Sequence, residues 1–405
     1  MENSFTLVKN GSVTSPKGFI AGATYCGIKT AGEDKLDLGI LVSELPATAA
    51  GTFTSNKLVS PSVTLSKKHV ANGSARVIIA NSGCANCSVG TQGMSDAEEM
   101  TKLAAEHVGV TSDQVLVCST GLIGVELPMA LVRQNIQNIS LSNDGGSQFA
   151  RSIMTTDTRS KKIAISVEMS GYTVIVGGVA KGVGMIHPNM ATMLSFISTD
   201  AAIEKNFLDS ALKQAVDISF NMIDVDGDQS TNDSVLVLSN GAAGGDEISV
   251  GSADAEKFQA ALNYVCTYLA KELARDGEGA QRLIEVVVEG AESLDQARIA
   301  ARGIVSSMLV KAMVHGGDPN WGRIMVALGQ SGINFEEANV DIYANDIHLV
   351  HRGVAFPYLK EAVVNAVSVP EVRFNVNVNQ GLATATAWGC DLTQEYVIFN
   401  SIYST

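Results

Sequence analysis

The chain has 405 residues, 46% hydrophobic and 17% charged, enough to bury a large core in two or three domains. Its formal net charge of -14 repels phosphate backbones and anionic lipid, which argues against nucleic acid or a membrane surface as partner. The opening Met1-Glu2-Asn3-Ser4-Phe5-Thr6 lacks the basic and apolar regions of a signal peptide, and the longest apolar runs are far too short to span a bilayer, so a cytoplasmic location is expected.

The first two hundred residues read mainly as strands and turns. Leu36-Asp37-Leu38-Gly39-Ile40-Leu41-Val42 and Ala75-Arg76-Val77-Ile78-Ile79-Ala80 are apolar runs of buried-strand type. Residues 95–109 predict a helix with Met100, Leu103, Ala104 and Val108 on one face. Ile163-Ala164-Ile165-Ser166-Val167 and Tyr172-Thr173-Val174-Ile175-Val176, on either side of Met169-Ser170-Gly171, predict a hairpin that leads into Lys181. Residues 204–220 and 254–275 carry helical apolar spacing. Arg282-Leu283-Ile284-Glu285-Val286-Val287-Val288 reads as a strand. Ser293-Leu294-Asp295-Gln296 then has capping-box form and opens a helix with Ile299, Ile304, Met308 and Val310 among its apolar positions. Strand patterns return over residues 340–343, 373–378 and 383–388. Strands with separated helices predict a layered α/β or α+β fold.

The six cysteines are Cys26, Cys84, Cys87, Cys118, Cys266 and Cys390. Cys84 and Cys87 form one C-x-x-C, but no second pair stands at zinc spacing, so reduced structural thiols are expected. His348 and His351 lie in a strand-like stretch near a turn and read as surface histidines. The acidic run Asp224-Val225-Asp226-Gly227-Asp228-Gln229-Ser230-Thr231-Asn232-Asp233 fails the EF-hand pattern. Its glycine stands fourth rather than sixth, and Val235 replaces the closing Glu. It reads as a structural loop near the active site, with no metal.

The segment that carries chemistry is Lys181-Gly182-Val183-Gly184-Met185-Ile186-His187-Pro188-Asn189-Met190-Ala191-Thr192-Met193-Leu194. A threonine hydroxyl is a poor nucleophile at neutral pH and needs a base. Inside a chain, the nitrogen of Thr192 is an amide and cannot accept a proton. Freed by a cut before it, that nitrogen is an α-amine with a reference pKa of about 7.7–8.0, already beside the hydroxyl. One broken bond then creates both nucleophile and base.

This run resembles the self-cleaving junction of the ornithine acetyltransferases, the arginine-biosynthesis glutamate N-acetyltransferases. In that family the chain cuts itself at the corresponding Ala-Thr bond, and the exposed threonine becomes the nucleophile. Further blocks share the resemblance in order along almost the whole chain. They are Leu36-Asp37-Leu38 with Pro46-Ala47-Thr48-Ala49-Ala50-Gly51-Thr52-Phe53-Thr54-Ser55-Asn56, then Asn81-Ser82-Gly83-Cys84-Ala85-Asn86, the acidic run, and His315-Gly316-Gly317-Asp318-Pro319-Asn320-Trp321-Gly322-Arg323-Ile324. The chain departs from the family pattern at Val183, where relatives often carry a small polar residue, and at Cys84, where an asparagine is common.

The resemblance implies two stacked β-sheets flanked by helices, with a smaller C-terminal domain. A soft boundary is placed near Gly290, giving a main domain of 1–290 and a smaller one of 291–405. It implies self-cleavage between Ala191 and Thr192 into chains 1–191 and 192–405. Thr120 and Gly121, in Ser119-Thr120-Gly121-Leu122-Ile123-Gly124, match its oxyanion segment. Lys181 and Thr155 match substrate-binding residues, with Thr156 an alternative to Thr155. An acidic protein that handles carboxylates needs a local cation such as Lys181. Glu278, in Asp276-Gly277-Glu278-Gly279-Ala280, matches a residue that binds the amine of ornithine or assists proton transfer. Asn400 and the terminal Thr405 match a substrate-contacting tail.

The implied reaction moves an acetyl group from N2-acetylornithine to glutamate through an ester on Thr192, which is ping-pong covalent catalysis. One amide is exchanged for a similar amide, so no ATP and no cofactor are expected. Acetyl-CoA is left open as a second donor. The two fragments are expected to stay packed together as a heterotetramer of two α and two β chains. The rival readings are a self-processing aminopeptidase with water as acceptor, and a binding protein that never cuts.

Overall fold

A computed structural model of the chain describes residues 5–29, 35–187 and 193–402. Ala191, Thr192 and Thr405 lie outside the described residues.

Three sheets form the frame. The first has six strands in the order Phe5–Leu7, Lys161–Glu168, Thr173–Lys181, Leu194–Thr199, Ser234–Ser239, Thr48–Phe53. Its neighbours run antiparallel except for the parallel pair Leu194–Thr199 and Ser234–Ser239. The second has four strands, Phe19–Thr24, Leu38–Ser43, Val77–Cys84 and Val115–Leu122, the last two parallel. These two sheets face each other across a core that includes Leu41, Ile78, Leu116, Phe149, Val179, Phe196 and Leu236.

Strand alternation sends the intervening side chains to the opposite faces, and helices cover those faces. Ile40, Ile79 and Val117 of the second sheet share a cluster with Ala97, Met100 and Ala104 of helix Gln92–Val108. Val176, Ile197 and Val237 of the first sheet share one with Leu208 and Leu212 of helix Lys205–Asp217 and Leu262, Val265 and Leu269 of helix Ala255–Arg275. The architecture is therefore layered α/β, with helices outside two stacked sheets. Burial on both faces explains why these strands read as unbroken apolar runs rather than as alternation.

The third sheet runs Ile223–Asp224, Ala383–Cys390, Leu283–Ala291, Glu371–Asn377, Asp341–Ala344, Ile347–His351, Val354–Ala355. Its Ile284, Val286 and Val288 join the core beneath the first sheet. The boundary expected near Gly290 falls at the end of strand Leu283–Ala291. That strand is hydrogen-bonded on both sides to strands that come after it, so the third sheet takes in residues from well before 290.

Local signals account for the helix starts. The Glu204 carboxylate accepts from Asn206 N and Phe207 N, both at 2.9 Å, and caps Lys205–Asp217. The Ser293 hydroxyl accepts from Gln296 N at 3.3 Å and opens Leu294–Val305. The expected continuation through Met308 and Val310 is corrected here. A second cap, Ser307, accepts from Val310 N at 3.4 Å and starts a separate helix, Met308–Gly316. Among the described residues no helix is long and apolar enough to cross a membrane.

Candidate active site

Strand ends deliver the chemistry to one place. Strand Val115–Leu122 finishes with Thr120 and Gly121, and strand Thr173–Lys181 finishes with Lys181. Both lie against a pocket that Thr155, Thr156, Gly184, Asp226, Glu278, Tyr396 and Asn400 also line. Six residues expected from sequence (Thr120, Gly121, Thr155, Lys181, Glu278 and Asn400) thus meet, although up to 280 positions separate them.

Gly121 sits at φ +129, in the left-handed region that side chains avoid. It pairs with Gly83 across the parallel strands, and a Cβ there would stand 2.3 Å from the Gly83 carbonyl carbon. Only glycine lets the two backbones close here, which presents the end of this strand to the pocket.

Lys181 is buried, and its Nζ donates to Thr155 Oγ1 at 2.9 Å and to Thr120 Oγ1 at 3.2 Å. Burial holds its pKa below the usual lysine range, against the opposing pull of Asp157. Both hydrogen-bond partners are neutral hydroxyls, so its charge is directed at whatever occupies the pocket. Beneath it, Asp157 organises the backbone. Its Oδ1 accepts from Gly182 N at 2.9 Å and from Lys161 Nζ at 2.7 Å, and its Oδ2 accepts from Thr155 N at 3.0 Å. Lys161 Nζ also donates to Asp276 Oδ2 at 2.6 Å.

The other wall is acidic. Glu278 Oε1 accepts from the Thr156 hydroxyl at 2.9 Å, and Oε2 accepts from Asn400 Nδ2 at 2.8 Å. Gly184 permits this approach, since a Cβ there would lie 2.7 Å from Glu278 Cδ. The acidic run supplies Asp226 and Asp228 to the same wall. Asp226 accepts from Met185 N at 2.6 Å, Ile186 N at 2.9 Å and the Tyr396 hydroxyl at 3.3 Å. Asn232 ties this run to the Thr120 strand, donating to Ala85 O at 2.6 Å and Ser119 O at 2.9 Å. The pocket is therefore bipolar, with a buried ammonium on one side and carboxylates on the other. That polarity suits a ligand with separate carboxylate and ammonium groups.

The junction enters the first sheet beside this pocket. Leu194 pairs with Lys181 across adjacent strands, Met193 N donates to Asp233 Oδ1 at 2.9 Å, and Ser234 N donates to Met193 O at 3.2 Å. Thr155 and Thr156, alternatives in the sequence, both face the pocket and serve opposite walls. Sequence reasoning missed Asp157, Asp226 and Tyr396 as individual residues, although the first two lie in segments it singled out.

The six cysteines are free and buried. Burial pushes Cys118 up to about 12 and Cys390 up to about 11, which leaves little thiolate for nucleophilic or ligand chemistry. Asp341, His348 and His351 come together outside the pocket. His348 is stacked between Tyr343 and Phe356, with centroids at 4.2 and 4.5 Å. Asp341 already accepts from His351 Nδ1 and Arg352 N, each at 3.0 Å, and from Asn379 Nδ2 at 2.9 Å. His351 is exposed, as expected of a surface histidine, while His348 is half-buried between the two rings.

A model of the ArgJ family matches residues 20–405. The chain belongs to the ArgJ family. The arginine biosynthesis bifunctional protein ArgJ of Dehalococcoides mccartyi (strain CBDB1) is 49% identical over 405 residues, the whole of both chains. The crystal structure of the same-named protein from Bacillus halodurans is 41% identical with a TM-score of 0.52, and covers 52% of this chain and 100% of that one. Ornithine acetyltransferase from Mycobacterium tuberculosis, solved in complex with ornithine, is 32% identical with a TM-score of 0.42, and covers 46% of this chain and 98% of that one. As an ArgJ protein the chain is an enzyme of arginine biosynthesis and an acetyltransferase.

Proposed function

We propose that the chain cuts itself between Ala191 and Thr192 and then transfers acetyl from N2-acetylornithine to glutamate through an ester on Thr192. One observation carries this reading. Leu194, in the described segment that follows the expected cut, is in register with Lys181, and Lys181 lines one pocket with Thr120 and Gly121.

In turnover, Thr192 Oγ attacks the acetamide carbon while the freed α-amine of the same residue takes its proton. The Thr120 hydroxyl and Gly121 N–H meet the oxyanion. The proton passes to the leaving ornithine nitrogen, and ornithine departs. The glutamate amine then attacks the acetyl ester, and the Thr192 hydroxyl is restored. Lys181, steadied by Thr155, holds the α-carboxylate common to donor and acceptor. Glu278, with Asn400, faces the side-chain ammonium of the ornithine donor, and Thr405 belongs to the same tail. Exchange of one amide for another needs no cofactor, and acetyl-CoA serves as a second donor. The fragments remain together as a cytoplasmic heterotetramer of two α and two β chains.

The test is intact-mass spectrometry with N-terminal sequencing, coupled to an acetyl-transfer assay. Two fragments meeting at Ala191 and Thr192, with transfer to glutamate well above hydrolysis, are expected. Thr192→Ala should stay whole and inactive. Normal turnover by that variant, or peptide hydrolysis without transfer, would sink the reading.

A further inference from the structure

Self-cleavage poses a chemical problem that turnover does not. In the uncut chain the nitrogen of Thr192 is an amide and cannot act as base. Some other group must take the hydroxyl proton when the first bond is made, and that nitrogen must gain a proton before it can leave.

Asp233 is a fully buried carboxyl with no task in the turnover steps. Its Oδ1 accepts from Met193 N at 2.9 Å, while Oδ2 is buried without a hydrogen-bond partner among the described residues. Burial pushes this carboxyl up to about 8, against the opposing pull of Met193 N–H, the Ser230 hydroxyl and the Lys181 ammonium. A carboxyl so placed exchanges protons readily near neutral pH.

Its position is fixed by covalent geometry and by the sheet. Met193 N is bonded to the Thr192 carbonyl carbon, so bond lengths alone keep the Thr192 nitrogen within about 4 Å of it and the Thr192 hydroxyl within about 5 Å. A carboxyl hydrogen-bonded to Met193 N is therefore held one peptide link from the residue whose hydroxyl gives up the proton and whose nitrogen must gain it. The next residue, Ser234, begins a strand whose register sets Ser234 opposite Leu194, and its N–H donates to Met193 O at 3.2 Å. Asp233 is thus clamped beside Met193, the residue that follows Thr192.

We infer that Asp233 is the proton relay of self-cleavage, an assignment that rests on the cut between Ala191 and Thr192 proposed above. As Thr192 Oγ bonds to the Ala191 carbonyl carbon, the Asp233 carboxylate accepts the hydroxyl proton. As the bond from that carbon to the Thr192 nitrogen breaks, Asp233 returns the same proton to the nitrogen, which leaves as a neutral amine. The carboxylate is regenerated and an ester joins the two halves. Water then hydrolyses that ester, giving the Ala191 carboxylate, the Thr192 hydroxyl and one proton to solvent.

The experiment follows full-length chain by intact mass from synthesis onward, together with its thermal melting. If the wild-type chain never cuts at 191–192, the function proposed above fails and the relay falls with it. If the wild-type chain cuts there, Asp233→Asn decides. The amide keeps the shape and the acceptor for Met193 N but cannot take and return a proton. Cleavage at least about 100-fold slower, with a melting temperature no lower than wild type, is expected. Cleavage at the wild-type rate overturns the relay and leaves the proposed function standing. If Asp233→Asn melts lower, Asp233→Glu decides instead. Cutting within about tenfold of wild type by this bulkier carboxylic acid supports proton transfer over shape, and an uncut Glu variant overturns it.

Discussion

Thr155 and Thr156 are adjacent in sequence and hold opposite charges. The Thr155 hydroxyl accepts from Lys181 Nζ at 2.9 Å, and the Thr156 hydroxyl donates to Glu278 Oε1 at 2.9 Å. Their valine variants should therefore separate the two walls of the pocket. Losing a hydrogen bond to a charged group costs about 1.5–3 kcal/mol, or roughly 10- to 150-fold. Thr155→Val is expected to raise KM for glutamate and for acetylornithine alike, because in the proposed binding mode both present an α-carboxylate to Lys181. Thr156→Val should raise KM mainly for acetylornithine, whose ammonium faces Glu278 in the proposed binding mode. Measuring both substrates in both variants checks this, and equal effects of Thr156→Val on the two would contradict the assignment.

Thr120→Val tests the oxyanion role. The substitution keeps the volume of a buried side chain and removes its hydroxyl. An oxyanion donor acts on charge that exists only in the transition state, so kcat should fall by about 100- to 1,000-fold. Lys181 would also lose one of its two hydroxyl partners, so KM should rise for both substrates as in Thr155→Val, and the fall in kcat is what sets Thr120 apart. Steady-state kinetics of transfer decides it. A large rise in KM with normal kcat would make Thr120 a ground-state contact.

Gly184→Ala asks whether a single methyl can disturb the acidic wall. The new Cβ would meet Glu278 Cδ at 2.7 Å, and the Glu278 carboxylate is the group able to move. Displacing it breaks the bonds from Thr156 and Asn400 together. We expect acetylornithine KM to rise about tenfold, with the glutamate half-reaction nearly unchanged and stability within about 1 kcal/mol of wild type. Unchanged kinetics would mean that Glu278 does not grip the donor.

What could be read in the sequence depended on how far a signal reaches along the chain. Ser293 and Gln296 stand three residues apart and announce a helix start that the structure keeps. The end of that helix was illegible. Met308 and Val310 continue its apolar period, yet Ser307 caps a new helix and leaves Met308 70% exposed. Lys181, Thr120 and Asn400 were found because family motifs mark them one by one. Lys161 carried no mark beside Lys162 and resembled a solvated charge. Its partner Asp276 lies 115 residues away, so only the fold reveals that both are buried. Asp233 was hidden for the opposite reason. It closes an acidic run that reads as one structural loop, and only the fold shows that Asp224 and Asp233 are sealed inside while Asp228 is exposed.

The buried Lys161 predicts an acid limb to the stability curve. Burial by itself would raise the Asp157 carboxyl, but Lys161, Lys181 and the Gly182 N–H overcome it and hold it at about 2. A carboxyl depressed on folding contributes stability that is present above its unfolded value, about 3.9, and lost as pH falls through about 2. Wild-type protein should therefore keep this contribution at pH 5 and lose it between about pH 4 and 2. Lys161→Met removes the cation that contacts both Asp157 and Asp276 and leaves two carboxyls buried without it. Breaking one partner from a buried pair typically costs about 3–5 kcal/mol. The acid limb should also move to higher pH, because burial then acts on Asp157 with less opposition. Adding Asp157→Asn to Lys161→Met removes one of the stranded charges, so the double variant should be more stable than the sum of the single losses. Urea unfolding of the three variants at pH 7 and pH 4 measures these quantities. Additive losses, or a Lys161→Met acid limb that coincides with wild type, would show that the buried lysine is not what keeps Asp157 ionised beneath the pocket.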